Sequence, residues 1–222
     1  MADVRVKICG LTRRADALAA DLAGADYLGV VLSAGFGRSV GLKNAAEIVA
    51  GARARKVAVL VDETASAAEE AARSLGADVI QLHGDEEPET IRELRGRGAW
   101  TLWKAVRART LDDLARAVDR YGDLVDGFLV EGWKEGSKGG SGARVALAAE
   151  PLRALVPEGR DFILAGGLGP DSVAEAVRTF RPDVVDVSSG VERTVGAKDH
   201  ERVRAFVEAA RGALAVAGGK AR

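Results

Sequence analysis

The sequence contains only one cysteine, Cys9, among its 222 residues, so no intramolecular disulfide can form. It also lacks any run of the roughly 20 apolar residues that a membrane-spanning helix requires. The first ten residues interrupt their apolar side chains with charged ones, and no apolar run there is long enough for a secretory signal peptide. These absences argue against a disulfide-stabilised secreted domain and against a membrane protein, and we expect a cytoplasmic setting.

The sequence has no excess of charge of either sign. Lys and Arg number 32 against 33 Asp and Glu, which gives a formal net charge of −1 at pH 7. No general positive field draws the protein to nucleic acid or to an anionic membrane, so any anion-binding site has to be local. Aromatic residues make up 5% and indicate no obvious interface, which leaves the oligomeric state open. The hydrophobic content of 47% fits a folded globular protein, and we expect one domain over residues 1–222.

Eight short apolar runs recur along the sequence at a spacing of about 25 residues. This is the length that one strand, one helix and two short loops need together. They occupy residues 4–8, 26–32, 57–61, 78–82, 100–105, 125–130, 162–165 and 183–187. Runs such as 27–32 are apolar continuously rather than alternately, which is typical of strands buried on both faces of a parallel sheet.

The segments between these runs have helical periodicity. Val173, Ala176, Val177 and Phe180 fall on one helical face, and Pro182 lies just beyond the expected end of that helix. Eight such units without a domain-sized linker favour a closed (β/α)8 barrel over an open doubly wound sheet, which usually has about five or six strands. In this barrel the active site lies at the carboxyl ends of the strands and in the loops that follow them.

Several polar residues stand at these strand ends. Cys9 ends the first run with Lys7 two residues before it, and a thiol near positive charge can ionise, although a small buried hydrophobic role is the alternative. Glu131 follows the sixth run and offers a carboxyl group for acid and base chemistry, or an ion-pair partner for Lys104 or Lys134. His83 and Arg38 are further candidates, with an ordinary hydrogen-bonded histidine and a solvated arginine as the alternatives.

Two glycine-containing segments, 164–168 and 188–192, follow the seventh and eighth runs. The loops after these two strands form the recurrent phosphate site of this barrel, and glycine lets their backbone N–H groups approach the phosphate closely. The predicted phosphate-binding residues are Gly166, Gly167, Ser188, Ser189 and Gly190. Turn glycines without a ligand are the alternative. A third glycine cluster at 138–142 indicates a loop able to close over a substrate, or a linker.

These motifs, in this order, resemble those of the phosphoribosylanthranilate isomerases. Residues 6–12, Val-Lys-Ile-Cys-Gly-Leu-Thr, are similar to the family's opening motif. The resemblance continues through residues 81–84, 139–142, 164–168, 185–192 and 196–199. It implies a (β/α)8-barrel enzyme of tryptophan biosynthesis that catalyses the Amadori rearrangement of N-(5-phosphoribosyl)anthranilate. A phosphosugar is then the expected ligand, and no metal or organic cofactor is expected.

The resemblance also implies roles for individual residues. In the family's reaction a general acid opens the ribose ring to a Schiff base, and a general base then removes the C2′ proton. Cys9 matches the base and Glu131 stands at the position of the acid. Arg38 matches the residue that binds the anthranilate carboxylate, which suits its two-pronged guanidinium, and Asp186 the residue near the anthranilate amine. His83 completes the expected substrate-binding residues.

Three positions depart from the family's pattern. The family has an aspartate as the acid, usually followed by a hydroxyl residue, whereas this sequence has Glu131 and Gly132. We expect Gly132 to permit backbone angles that draw the longer side chain back. Gly-Phe-Gly at 35–37 replaces a proline-containing sequence before Arg38, and Asp62 replaces an asparagine. An aminoaldose isomerase of altered specificity and a non-catalytic phosphosugar-binding barrel remain the alternative functions.

Overall fold

Eight parallel strands close into a barrel in the computed structural model, which describes residues 3–132 and 145–214. The strands are β1 Arg5–Ile8, β2 Tyr27–Val31, β3 Arg55–Leu60, β4 Val79–Leu82, β5 Thr101–Ala108, β6 Gly127–Gly132, β7 Asp161–Leu164 and β8 Val184–Val187. Each strand pairs in parallel with its neighbours in chain order, and β8 pairs with β1 to complete the circle. The predicted (β/α)8 barrel is therefore confirmed.

The helices that alternate with these strands cover the outside of the barrel. They are α1 Arg14–Leu22, α2 Leu42–Val49, α3 Ala65–Leu75, α4 Pro88–Arg95, α5 Leu111–Tyr121, α6 Ala149–Leu155, α7 Val173–Phe180 and α8 His200–Gly212. Helix α7 spans the periodic segment predicted from the sequence, and its end is marked by Arg181 in the left-handed conformation (φ 47°) just before Pro182. No helix among the described residues is long and apolar enough to cross a membrane.

The interior of the barrel is apolar at its amino end and polar at its carboxyl end. Buried apolar side chains from several strands, such as Val57, Ile163 and Val184, fill the lower part. Tyr27 and Trp103 pack edge to face there, with ring centroids 4.9 Å apart. The upper part carries buried polar side chains instead, and this polar end is where the candidate site lies.

Two strands are longer than the sequence predicted. The apolar runs end at 105 and 130, whereas β5 and β6 continue pairing as far as Ala108 opposite Gly132. Their last residues include the charged pair Arg107 opposite Glu131, which hydrophobicity alone does not identify as strand. The extension is what places Glu131 on a regular strand rather than on a loop.

A short hairpin after β8 was not predicted. It consists of β9 Glu192–Thr194 and β10 Ala197–Lys198, preceded by a single 3₁₀ turn over Ser189–Val191. Strands of three and two residues with polar side chains leave no periodic signal in the sequence. The hairpin contacts the first βα unit, where the Thr12 hydroxyl donates to the Gly196 carbonyl at 2.6 Å.

Asp16 at the start of α1 joins the first unit of the barrel to the last. Its buried carboxylate accepts a hydrogen bond from the Lys198 backbone N–H at 3.0 Å, two from Arg13 at 2.9 Å, and one from His200 at 2.8 Å. Burial alone would raise the pKa of Asp16, but these donors outweigh it and lower that pKa below its ordinary value. The ionised carboxylate thus stabilises the contact between α1, the hairpin and α8.

We predict that Asp16→Asn lowers the free energy of unfolding at pH 7 by about 1.5–3 kcal/mol, the size expected when hydrogen bonds to a charged group are lost. Because the pKa of Asp16 is lower in the folded state, this stabilisation is complete above the unfolded-state pKa of about 3.9 and disappears as the pH falls through the folded-state value. Urea unfolding of both proteins at pH 7 and near pH 3 measures it. A difference that stays constant with pH would contradict this role.

Candidate active site

One cavity at the carboxyl end of the barrel brings together all ten residues predicted for the site. Its lining includes Cys9, Arg38, His83, Glu131, Gly166, Gly167, Asp186, Ser188, Ser189 and Gly190, together with Gly10, Phe36 and Gln81. These residues come from strands β4, β6 and β8 and from the loops after β1, β2, β4, β7 and β8. The convergence follows from the topology, because the carboxyl ends of all eight strands meet at one face of a closed parallel barrel.

Cys9 lies at the end of β1 beside a buried ion pair. The Lys7 ammonium donates a hydrogen bond to Asp186 Oδ1 at 2.9 Å, and the Lys7 side chain is fully buried. Burial raises the pKa of the Cys9 thiol, and the Asp186 carboxylate adds to the rise, whereas Lys7 and Lys198 oppose it. The thiol is therefore held in its neutral form to a higher pH than an ordinary cysteine.

Glu131 is connected to His83 and Gln81 by a chain of hydrogen bonds. The Gln81 amide nitrogen lies 2.8 Å from His83 Nδ1, and His83 Nε2 lies 3.2 Å from Glu131 Oε1. If the amide donates to Nδ1, the proton of the neutral imidazole is on Nε2 and points at the carboxylate. The alternative of a lysine partner does not hold for Lys104, which pairs with Glu86 at 3.0 Å. Lys134 lies outside the described residues.

The expectation that Gly132 adopts unusual backbone angles is wrong. Gly132 continues β6 as extended strand opposite Ala108, and it does not belong to the glycines with positive φ. The backbone therefore does not draw the glutamate back. Instead Glu131, 6% exposed, is held through its contact with His83.

Arg38 is anchored to Glu192 by one edge of its guanidinium. Its Nε and Nη2 donate to the two carboxylate oxygens at 2.8 and 2.7 Å, and Lys198 Nζ donates to the same carboxylate at 2.9 Å. Although burial opposes ionisation, hydrogen bonds from Arg38 and Lys198 lower the pKa of Glu192. The two-pronged contact expected for a ligand is thus made with a protein carboxylate. Three of the five guanidinium N–H donors remain on the other edge.

The loops after β7 and β8 present backbone N–H groups to the cavity. Gly166 and Gly167 have positive φ angles of 90° and 60°, a conformation that favours glycine. A side chain on Gly190 would collide with the Leu168 carbonyl, so the two loops are closely packed against each other. No backbone acceptor among the described residues receives the N–H groups of Gly166, Gly167, Ser189 or Gly190.

Cations hold the carbonyl groups of the β8 loop on its far side. Lys198 Nζ donates to the Ser188 carbonyl at 3.1 Å and to its hydroxyl at 3.3 Å. Arg202 donates to the Gly190 carbonyl through Nε at 3.2 Å and Nη2 at 2.9 Å. Because the carbonyls are engaged behind the loop, its N–H groups remain available to an anion.

The two other departures from the family pattern have different surroundings. Asp62 adopts a left-handed conformation (φ 54°), which Asn and Asp tolerate better than most residues, and its carboxylate accepts from the Asp85 N–H at 2.6 Å. Asp62 is not part of the cavity lining, whereas Phe36 is. The glycine cluster at 138–142 lies outside the described residues, so its expected closure over the site stays a prediction.

The sequence assigned no role to Glu192 or Lys198, although both belong to the motifs at 185–192 and 196–199. The opposite charges of Glu192 and Lys198 on either side of a turn at Gly196 could have indicated their pairing, because a tight turn brings such side chains together. Among the described residues, no group of three or more His, Cys, Asp or Glu side chains is arranged to hold a metal ion.

Comparison with known proteins points to one family. A family model described as N-(5'phosphoribosyl)anthranilate (PRA) isomerase matches residues 6–209. The N-(5'-phosphoribosyl)anthranilate isomerase of Pseudomonas fluorescens (strain Pf0-1) is 40% identical over 217 residues, covering 95% of this chain and all of that protein. The crystal structure of phosphoribosyl anthranilate isomerase from Thermotoga maritima has a TM-score of 0.83 at 32% identity, covering 94% of this chain and 99% of that chain.

A second solved structure is similar to the chain and contains a ligand. It is phosphoribosyl anthranilate isomerase in complex with reduced 1-(o-carboxyphenylamino)-1-deoxyribulose 5-phosphate. Its TM-score is 0.80 at 32% identity, and the match covers 94% of this chain and 99% of that chain.

We predict that Cys9 reacts slowly with iodoacetamide at pH 7 and that the rate rises with a midpoint above about 8.5, the pKa of an ordinary cysteine. The reason is the raised pKa of the buried thiol. Cys9 is the only cysteine, so the incorporated label reports on this thiol alone. A midpoint at or below the ordinary value would show that the nearby cations outweigh burial.

Proposed function

The chain belongs to the N-(5'-phosphoribosyl)anthranilate isomerase family and is an isomerase of tryptophan biosynthesis, and we propose that Cys9 is its general base and Glu131 its general acid. The observation that carries this proposal is that both side chains line one cavity from separate elements, Cys9 directly after β1 and Glu131 on β6. A thiol and a carboxyl group on different sides of a bound sugar can act on different atoms of it.

The phosphate of the substrate is proposed to bind at the loops after β7 and β8. The N–H groups of Gly166, Gly167, Ser189 and Gly190 have no other backbone acceptor among the described residues. Lys198 lies behind the β8 loop and contributes positive charge without entering the cavity lining. Amide dipoles with a buried cation behind them fit a dianion in a chain whose net charge is −1.

The anthranilate group is proposed to bind in the part of the cavity lined by Arg38, Phe36 and Asp186. Arg38 holds Glu192 with its Nε and Nη2 edge, and its outer edge remains for the anthranilate carboxylate. Phe36 in the loop after β2 offers an apolar ring to the aromatic group. Asp186 at the cavity floor is placed to accept from the anthranilate nitrogen.

In the proposed sequence of steps, the Glu131 carboxyl group donates its proton to the ribose ring oxygen, and the C1′–O bond breaks to give the Schiff base. The Cys9 thiolate then takes the proton from C2′, and the electron pair of that C–H bond forms the enolamine. Tautomerisation gives the 1-deoxyribulose 5-phosphate product. His83, 3.2 Å from Glu131, holds the carboxyl group in position, and Glu131 regains its proton from solvent water after the step.

The reaction is tested directly by adding freshly made phosphoribosylanthranilate and following the loss of its fluorescence. Turnover of a histidine-pathway aminoaldose in a parallel assay would instead support a broader specificity. Binding without product would support the non-catalytic alternative. The cytoplasmic setting and the assignment of all 222 residues to one domain remain predictions.

We predict that Cys9→Ala lowers turnover by about 10²-fold or more, the size expected when a positioned general base is removed. The same fluorescence assay measures it, and circular dichroism checks that the variant is folded. In the unmodified enzyme, kcat/KM should rise with pH as the thiol ionises, and the raised pKa of Cys9 places this rise on the alkaline side. A near-normal rate for Cys9→Ala would exclude Cys9 as the base.

We predict that Glu131→Gln lowers kcat by about 10²-fold or more, because the amide cannot donate an acidic proton. Glu131→Asp should also lose activity, since shortening the side chain withdraws the carboxyl by about 1 Å and a misplacement of that size is costly. Glu87→Gln, the same change on an exposed side chain, is the matched control and should keep full activity. Higher turnover in Glu131→Asp would show that glutamate fits this site poorly.

A further inference from the structure

The ion pair between Lys7 and Asp186 lies directly under the cavity, and the steps proposed above assign no task to Lys7. The two residues are register partners on β1 and β8, and their charged atoms are 2.9 Å apart. The Lys7 side chain is fully buried, whereas 11% of the Asp186 side chain is exposed. A lysine is almost never buried completely unless it is paired, so this cation is held at a definite place.

Lys7 has a second partner in the Cys9 thiol. Its ammonium donates to Asp186 Oδ1 at 2.9 Å, and the nearby Asp186 and Cys9 both raise the pKa of Lys7 against the effect of burial. Gly29 on β2 lies beside both atoms: a Cβ built there would lie 2.9 Å from Cys9 Sγ and 3.1 Å from Lys7 Nζ. Glycine at this position therefore leaves room for both the thiol and the ammonium.

Four charged groups act on the Cys9 thiol. Lys7 on β1 and Asp186 on β8 are the nearest, and Lys198 on β10 and Arg38 after β2 act from further away. The three cations favour the thiolate, and Asp186 favours the neutral thiol. Since Lys7 interacts with both Asp186 and the thiol, the carboxylate and a thiolate compete for the same ammonium.

We propose that Lys7 is a positioning residue that divides its positive charge between Asp186 and Cys9, and that a cationic substrate nitrogen bound at Asp186 directs it toward Cys9. The inference rests on the proposed function, in which the anthranilate nitrogen lies beside Asp186 and Cys9 is the base. In the free protein, the carboxylate attracts the ammonium and the thiol keeps its proton.

The Schiff base carries positive charge on this nitrogen and neutralises Asp186. Lys7 then stabilises the thiolate, the thiol proton leaves to solvent water, and the thiolate takes the C2′ proton. Formation of the Schiff base thereby favours the Cys9 thiolate, which the following proton transfer requires.

The test uses the thiol itself as its readout. Cys9 is the only cysteine, so thiolate absorbance near 240 nm and the rate of alkylation by iodoacetamide, each measured against pH, report its pKa without any substrate. Lys7→Met should raise the thiol pKa by about 1 or more, and Asp186→Asn should lower it. Opposite shifts are the expected result, because one variant removes the attracting cation and the other removes its competitor.

Lys7→Met leaves a buried carboxylate without its partner, which works against folding, so the double variant Lys7→Met/Asp186→Asn provides the decisive comparison. It contains neither charge, and its thiol pKa should lie above that of Asp186→Asn. Lys104→Met removes another buried lysine, one that pairs with Glu86, and is the control that should leave the thiol pKa unchanged. Equal thiol pKa values in Asp186→Asn and the double variant would overturn the inference.

The outcomes separate this inference from the proposed function. If the thiol pKa shifts as expected and Cys9→Ala keeps its activity, the effect of Lys7 on the thiol pKa is confirmed and the base assignment fails. If Cys9→Ala is inactive and substitution of Lys7 leaves the thiol pKa unchanged, the base assignment stands and this inference fails. If both hold, the alkaline rise of kcat/KM should move with the thiol pKa in every active variant.

Discussion

Three cations lie beneath or beside the cavity, and an acidic side chain of the same chain holds each of them. Asp186 holds Lys7, and Glu192 holds both Arg38 and Lys198. Buried charges are costly unless they are paired, so this pairing is the condition under which a cation can be kept at the end of a barrel at all. The pairing also fixes the orientation of each side chain, and thereby the direction of the N–H donors of Arg38 and Lys7 that the pairing leaves over.

The same principle explains how a chain with nearly balanced charge can offer a phosphate site. Lys198 and Arg202 donate to the carbonyls of the β8 loop rather than to the cavity. Their charge reaches a ligand through the backbone, because engaged carbonyls leave the opposite N–H groups facing the opening. Glu192 connects this arrangement to Arg38, so the proposed phosphate and carboxylate contacts share one carboxylate between them. Displacing Glu192 would therefore disturb the proposed phosphate and carboxylate contacts together.

The features that could be predicted from the sequence are those that a short local stretch of residues determines. Continuous apolar runs identified the eight strands, and a closed barrel then placed Cys9, His83 and Glu131 at one end. Which side chain pairs with which depends on contacts between residues far apart in the sequence, as between Arg38 and Glu192 or Lys7 and Asp186. No local pattern records such partners, and the polar ends of β5 and β6 and the hairpin were missed for the same reason.

The departures from the family pattern differ in how they fit their surroundings. Asp62 replaces asparagine at a backbone angle that suits both residues, and its side chain faces a neighbouring loop rather than the cavity. Glu131 keeps the carboxyl group and alters its reach, without any adjustment of the strand backbone at Gly132. Its contact with His83 supplies a fixed point for the longer side chain. The position of the proposed acid therefore depends on the carboxyl end of β4 as well as on β6. His83 and Gln81, through their hydrogen bonds, help to orient the carboxyl group.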